Sequence, residues 1–274
     1  MTIRKFLPGS EWLYLKIYTG VKTSDGILQE AIIPLLKYFK EKKYINQWFF
    51  IRYTDPIPHL RLRLKLTYRN ALENINSVIK DFIASGEISN FVIDSYVREI
   101  ERYGESTIEY AEHLFFKSSE LILNFLDYDD EEKLMVSMFY IDMLLSEIKL
   151  SNEEKLEWIS DYNTAFKNEF NADKNLNRQL DQKFRLFKPQ YLDFVNSNEF
   201  VDIRNLIISN ISESNNAIKS VIQSSQNPLS GFFQSIFHMH INRTFVSNQR
   251  LFEMIVYDYL LRHYKNRTSS KVQL

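Results

Sequence analysis

Cysteine is absent from the chain, which excludes disulfide frameworks and thiolate metal sites. The five histidines show no paired spacing with carboxylates that would suggest zinc. His238 and His240 stand two apart, which on a helix turns them in different directions. No metal and no organic cofactor is therefore expected. Long apolar runs are missing too. LMVSMFYIDMLL comes nearest to the roughly 18 residues that span a bilayer, and Ser137 and Asp142 break it. The opening MTIRKFLPGSEW has no apolar core of a secretory signal. Together these absences imply a soluble, cytoplasmic protein, and Met1 directly before the motif region implies a natural start. Charge of one sign is not in excess: 34 Lys and Arg face 35 Asp and Glu, for a net charge of −1. A protein gripping nucleic acid over a wide surface would be basic, so any cationic site must be local. There is no Gly-rich phosphate loop, no G-x-S-x-G elbow and no H-E-x-x-H.

Glycine is scarce, with six residues at positions 9, 20, 26, 86, 104 and 231. Turn chemistry is thus concentrated at the front, and the back half reads as helix. The 274 residues, 45% apolar and 25% charged, suit one large or two small domains. WLYLKIYT (12–19) alternates as a strand, and SDG opens the amphipathic segment ILQEAIIPLLKYFKEKK. QWFFIRY (47–53) is aromatic and β-branched, hence strand. HLRLRLKL follows as a third strand, and YRNALENINSVIKDFIASG as a helix closed by Gly86. NFVIDSYVREI (90–100) reads as a fourth strand or a strand-to-helix junction. The order β-α-β-β-α-β predicts an α+β protein: a ferredoxin-like antiparallel sheet over residues 1–105, packed against a helical part over 106–274, the two forming one unit. Three-four apolar spacing predicts helices near 107–127, 130–148, 152–170, 173–196, 199–224 and 230–265. Ser151 is placed to cap the third of these, SQNPLSG (225–231) is a break, and NRTSSKVQL is expected to fray.

The stretch DPIPHLRLRLKL (55–66) poses a chemical question. His59, Arg61, Arg63 and Lys65 alternate with four leucines, so they share one face of a half-buried strand. Trp12, Tyr14, Lys16 and Tyr18 of the first strand would lie on the same face. Neighbouring like charges repel, so acids, solvent or an anionic ligand must compensate them. A solvated or salt-bridged face is one reading. An anion site is the other, because the guanidinium fork matches carboxylate or phosphate. Two further segments carry chemistry. In DSYVREIERYGES (94–106), Arg98, Glu99, Glu101 and Arg102 read as a surface charge network, with Glu99 and Arg102 three apart on one helical face. In FHMHINRTF (237–245), His238 and Asn242 share a helix face. A histidine there is either a hydrogen-bonded core residue or a proton carrier, and His240 lies nearer the apolar stripe, which predicts a packing role.

FLPGSEWLYLKIYTG, WFFIRYTDPIPHLRLRLK, YVREIERYG and HMHINR resemble, in order and spacing, the C-terminal elimination domain of glutamyl-tRNA-dependent lantibiotic dehydratases. The same domain occurs as free-standing proteins of thiopeptide-type bacteriocin biosynthesis. The resemblance runs from about residue 5 to 265 and omits the larger glutamylating domain. It implies a lyase that expels glutamate from glutamylated Ser or Thr of a precursor peptide, giving dehydroalanine or dehydrobutyrine. It also implies a separate glutamylating partner and a possible cyclase complex, with no direct contact to nucleic acid. The chemistry is coherent. Hydroxide is a poor leaving group, since water has a pKa of about 15.7, whereas a carboxylate leaves with a conjugate-acid pKa of about 4.

Carried over residue by residue, the resemblance implies catalytic roles for His238, Arg63 and Arg102, and substrate binding by Arg61 and Glu99. The strand arginines would grip the glutamyl group and the developing enolate, Glu99 would orient them or meet the ammonium group, and His238 would shuttle the proton. Where relatives often carry a second glycine after RYG this chain has Glu105, and where they commonly carry an acid before Ser119 it has Ser118. Two other functions fit the same features less closely. One is a thiopeptide pyridine synthase joining two dehydroalanines by formal [4+2] cycloaddition. The other is a non-catalytic RNA- or peptide-binding module that uses the aromatic and basic sheet face.

Overall fold

The computed structural model describes residues 2–68 and 71–271. The protein is a mixed α+β chain whose residues form two compact units. One runs up to Asp127 and takes in Gln223–Ser247; the other comprises Tyr128–Ile222 and the chain from Asn248 on. This division falls elsewhere than residue 105, for a reason seen at the sheet edge below.

In the first unit the strands are β1 (Lys5–Phe6), β2 (Trp12–Thr19), β3 (Ile45–Tyr53), β4 (His59–Leu66), β5 (Ile88–Asp94) and β6 (Tyr96–Val97). Four of them make an antiparallel sheet in the order β3-β4-β2-β5. The register sets Tyr14 opposite Arg63, Lys16 opposite Arg61 and Tyr18 opposite His59, with Phe49, Ile51 and Tyr53 of β3 across from the same three β4 residues. Side chains of a strand alternate between faces, so these residues share one face as the sequence pattern predicts. Leu13, Leu15, Ile17, Leu60, Leu62 and Leu64 fill the other face and are all buried.

The connection from β2 to β3 begins as α1 (Ser24–Ile27), widens into a π-helical turn over Leu28–Ile32, and continues as α2 (Ile33–Glu41). Pro34 has no N–H to give to the preceding turn, and the wider turn accommodates that loss. Helix α3 (Ala71–Ala84) links β4 to β5 and contacts both β5 and α2. Arg69 and Asn70, which the sequence pattern assigns to this helix, lie outside the described residues.

Residues 90–100 do not continue as one strand. The Asp94 carboxylate accepts from the Ser95 N–H at 2.6 Å, and the chain turns away so that Tyr96 and Val97 pair with Phe6 and Lys5 in a second, two-stranded sheet. A short helix α4 (Ile100–Tyr103) follows and ends at Gly104. There φ is +79°, and a Cβ would meet Thr107 Oγ1 at 2.7 Å, so no other residue fits without strain.

Helix α5 (Ile108–Ile122) then runs along the free edge of β3, whose backbone groups are met by side chains. The Phe50 N–H donates to Ser119 Oγ at 3.3 Å and the Arg52 N–H to Asn242 Oδ1 at 2.9 Å. In return Asn242 Nδ2 donates to the Arg52 carbonyl at 2.9 Å and Arg243 Nε to the Phe50 carbonyl at 2.8 Å. An edge strand covered this way cannot recruit another strand. This is why α5 and the segment around Asn242 belong with the sheet rather than with a helical part beginning at residue 106.

The helices from there are α6 (Asp130–Glu147), α7 (Asn152–Glu169), α8 (Lys174–Asn196), α9 (Val201–Ser212), α10 (Asn215–Ser224), α11 (Leu229–Thr244) and α12 (Gln249–Lys271). Ser151 caps α7 as expected, accepting from the Glu154 N–H at 3.2 Å while the Glu154 carboxylate accepts from the Ser151 N–H at 2.7 Å. Two predicted helices are each broken. The 199–224 segment divides at Glu213 and Ser214. The 230–265 segment divides where Phe245 turns extended and Asn248 takes φ +53°. The end predicted to fray is helical through Lys271, and residues 272–274 lie outside the described residues. In the second unit Asp142 is a buried anchor: Lys155 Nζ and the Tyr264 hydroxyl both donate to its Oδ1 at 2.7 Å. No helix among the described residues is long and apolar enough to cross a membrane.

Candidate functional site

The basic face of β4 is not uniform. Lys16 forms an ion pair with Asp94 at 2.6 Å, which raises the lysine pKa and lowers that of the carboxylate. That pair neutralises Lys16, the basic residue that β2 adds to this face. Arg61 is half-buried, its guanidinium lying 3.4 Å from the centre of the Tyr53 ring, and its Nε–H donates to His59 Nε2 at 3.0 Å.

Arg63 differs from both. Only 9% exposed, its guanidinium lies among the rings of Tyr14, Tyr96 and Phe49 at 4.4, 5.0 and 5.2 Å. Its Nε and Nη1 have no hydrogen-bond partner among the described residues. Burial lowers its pKa, and the nearby Arg61 lowers it further, while Tyr96, Tyr14 and Glu99 oppose. An arginine stays protonated even so. A buried cation held only by ring faces is poised to accept an anion or a carbonyl oxygen.

Arg63 stands in the wall of a narrow cavity of about 30 Å³, lined on the other sides by Glu99, Tyr103, Phe115, Met239 and Arg243. That is room for a water-sized group, such as one oxygen atom and its immediate neighbours. The Tyr103 hydroxyl is buried, and Arg102 is the side chain that interacts with it. Burial raises its pKa, as does Glu99, while Arg102 and Arg243 draw it down. It is therefore a neutral phenol that can donate.

The five residues carried over from the sequence are distributed as follows. Arg63 and Glu99 line the same cavity, and Arg61 sits two residues from Arg63 on the same strand face. Arg102 does not line the cavity. It lies at the exposed rim, paired with Glu99 at 3.4 Å, the two side chains 46% and 64% exposed. His238 is half-buried on α11, immediately before the cavity-lining Met239, and is itself not part of the wall. His240 is fully buried, its Nδ1 3.0 Å from Ser118 Oγ, and burial with the Arg243 charge pushes its pKa down to about 3.

The charge network expected over residues 98–102 is in fact three separate pairs, of which Glu99 with Arg102 is the first. Glu101 pairs with Arg4 at the surface. Arg98 is buried at 1% exposure and grips the fully buried Glu112, Nε to Oε1 and Nη2 to Oε2, both at 2.7 Å, with the Tyr96 hydroxyl donating to the same Oε1. This bidentate pair ties β6 to α5 and so fixes two walls of the cavity. Tyr103 and Arg243 were not singled out from the sequence, although both stand within or next to quoted motifs, REIERYG and HMHINR. Their signal was position, four residues after Glu99 and Met239, one helical turn along.

Nisin biosynthesis protein NisB of Lactococcus lactis subsp. lactis is 28% identical over 278 residues, covering 94% of this chain and 26% of NisB. The chain thus spans about a quarter of that relative's length. The tRNA-dependent lantibiotic dehydratase MibB from Microbispora sp. 107891 has the same fold at a TM-score of 0.70 and 18% identity, over 95% of this chain and 29% of MibB. The pyridine synthase TbtD from thiomuracin biosynthesis matches at a TM-score of 0.60 and 10% identity, over 93% of this chain and 99% of TbtD. The family model described as the C-terminal part of lantibiotic biosynthesis dehydratases matches residues 12–264, and the chain belongs to that family.

Proposed function

We propose that this protein is a cytoplasmic lyase that eliminates glutamate from glutamylated Ser or Thr of a precursor peptide, leaving dehydroalanine or dehydrobutyrine. In this reaction a base takes the α-proton of the modified residue, those electrons form the Cα–Cβ double bond, and the Cβ–O bond breaks to release a carboxylate. Negative charge builds on the peptide carbonyl oxygen as the proton leaves. The observation that carries the reading is Arg63, a buried guanidinium with two N–H groups lacking partners, beside a cavity of about 30 Å³. That space suits the enolate oxygen rather than a whole glutamyl group, and a fixed cation there stabilises charge that appears only in the transition state.

The glutamyl group would lie on the more open side, where Arg61 can take its carboxylate and Glu99 its ammonium. Arg102, beside Glu99 at the rim, would complete the clamp and help expel the leaving carboxylate. His238 would carry the proton, as a histidine can near neutral pH. We read the sheet that carries these residues as ferredoxin-like; the strand order β3-β4-β2-β5 with two helical connections supports that reading. A separate glutamylating protein would supply the substrate, and a cyclase would act on the product.

A second reading, pyridine synthase, draws on the likeness to TbtD, which covers nearly all of that chain. Family membership, together with an identity of 28% to NisB over almost the whole chain, favours elimination. Incubating the protein with a synthetic glutamylated peptide, and separately with a peptide carrying two dehydroalanines, tests both by mass spectrometry. Loss of glutamate from the first supports elimination; ring formation in the second with no change in the first supports cycloaddition.

A further inference from the structure

His59 has no part in the roles above, yet both of its ring nitrogens are engaged. Its Nδ1 lies 2.9 Å from the Ile57 carbonyl oxygen. A carbonyl only accepts, so Nδ1 carries the proton and Nε2 is left with a lone pair. The Arg61 Nε–H donates to that Nε2 at 3.0 Å. The imidazole is buried between Tyr18 and Tyr53, with ring centres at 4.7 and 5.4 Å, and the Arg61 guanidinium lies on the other partner of this stack, Tyr53, at 3.4 Å. The chain of contacts runs from a backbone carbonyl through a fixed tautomer to one arginine.

We propose that His59 is a positioning residue: as the neutral Nδ1–H tautomer it aims Arg61 at the glutamyl carboxylate, and on protonation it lets Arg61 go. This rests on the reading of Arg61 as the group that binds the glutamyl moiety. The physical reason is the change at Nε2. A second proton there replaces an acceptor by a donor facing the Arg61 Nε–H, and two cations then meet within hydrogen-bond distance.

Every charged neighbour favours the neutral ring or is occupied elsewhere. Arg61 on the same strand and Lys16 on β2 both oppose a positive charge on His59, as does burial, while the Ile57 carbonyl favours it. Asp94, the nearest acid on β5 to Lys16, is held in that ion pair. Arg52 of β3 is buried and bonded to Asp25, Ser24 and the Arg243 carbonyl. Tyr18 and Tyr53 offer ring faces. Among the described residues no carboxylate pairs with the ring.

Two measurements on the full chain test this. Nitrogen-15 NMR, with His59 assigned by difference against His59→Phe, reads the tautomer directly. The Nδ1–H form at neutral pH, titrating below the usual histidine range, is the expected result; an Nε2–H form or a raised pKa overturns the proposal whatever the activity. Kinetics on a synthetic glutamylated peptide then read the consequence. For the wild type KM should rise as pH falls through the His59 titration. His59→Phe, which keeps a stacked ring but no acceptor, should raise KM on the order of tenfold at neutral pH, as for a lost hydrogen bond to a charged group. His59→Gln, whose amide oxygen restores an acceptor without titrating, should recover most of that loss and flatten the KM profile. Equal KM for wild type and a folded His59→Phe overturns the positioning role. A wild type inert on the glutamylated peptide instead overturns the elimination reading, and the NMR result still decides the His59–Arg61 contact.

Discussion

An Arg63→Met substitution keeps the length of the side chain and removes its charge, and it separates what Arg63 costs the fold from what it gives the reaction. Each buried N–H left without a partner costs about 1–3 kcal/mol, and Arg63 has two such groups. Against this, a guanidinium over an aromatic face gains about 0.5–2 kcal/mol, and three rings lie within 5.2 Å. Methionine keeps contact with the same rings and leaves no donor unmet. The two sets of terms nearly cancel, so Arg63→Met is predicted to leave the fold about as stable as before or more stable by up to roughly 3 kcal/mol, as when buried charges give way to apolar groups. The same change should lower glutamate elimination on the order of 10²–10³-fold, as when a group facing a developing oxyanion is lost. Urea unfolding followed by tryptophan fluorescence reads the first quantity, since Trp12 and Trp48 are buried in the sheet unit. An Arg63→Met protein destabilised by more than about 1 kcal/mol at an unchanged denaturant slope would refute the idea that Arg63 is held at a cost for function.

Other expectations follow from the same geometry. His240 has a folded pKa near 3 against about 6.5 unfolded. The unfolded chain therefore binds the proton more tightly, and the stability held above pH 6.5 is lost as pH falls towards 3. At pH 5 the loss from this group is about 2 kcal/mol; His240→Gln should show a correspondingly shallower pH dependence, and an identical dependence would count against it. Tyr103→Phe removes only a buried hydroxyl, so it should leave unfolding almost unchanged while slowing elimination by about tenfold or more, the size of one donor lost from a transition state. Glu112→Ala leaves Arg98 buried without its partner and should cost about 3–5 kcal/mol, measured as a shift of the urea midpoint. His238→Ala should lower turnover by roughly 10²–10⁴ while peptide binding, followed by fluorescence polarisation, persists; normal turnover would remove His238 from the reaction.

The sheet was legible because its signal is local. Strict alternation in WLYLKIYT and HLRLRLKL states which residues share a face, and the register of β2 against β4 follows that pattern residue for residue. What escaped depends on partners far along the chain. Tyr96 and Val97 leave the sheet because Lys5 and Phe6 are there to pair with them, and nothing in NFVIDSYV announces a turn at Ser95. Arg98 reads like its neighbours until Glu112, fourteen residues on, is found against it. The breaks at 213–214 and 245–248 contain neither glycine nor proline, and apolar spacing resumes after each, so periodicity runs across them. Family resemblance named Arg61, Arg63, Glu99, Arg102 and His238, but only the fold distinguishes the buried Arg63 from the exposed Arg102. Only the fold adds Tyr103 and Arg243 to the cavity wall.

The central claim is that the protein exchanges a glutamyl ester for a double bond at Arg63. The most direct measurement follows a peptide bearing one glutamylated serine, with free glutamate counted against dehydroalanine over time, for wild type and Arg63→Met side by side. Equal amounts of glutamate and dehydroalanine from the wild type, and little of either from a folded Arg63→Met protein, are the predicted result. Glutamate released with serine restored, which is hydrolysis rather than elimination, or dehydroalanine formed as fast without Arg63, would contradict it.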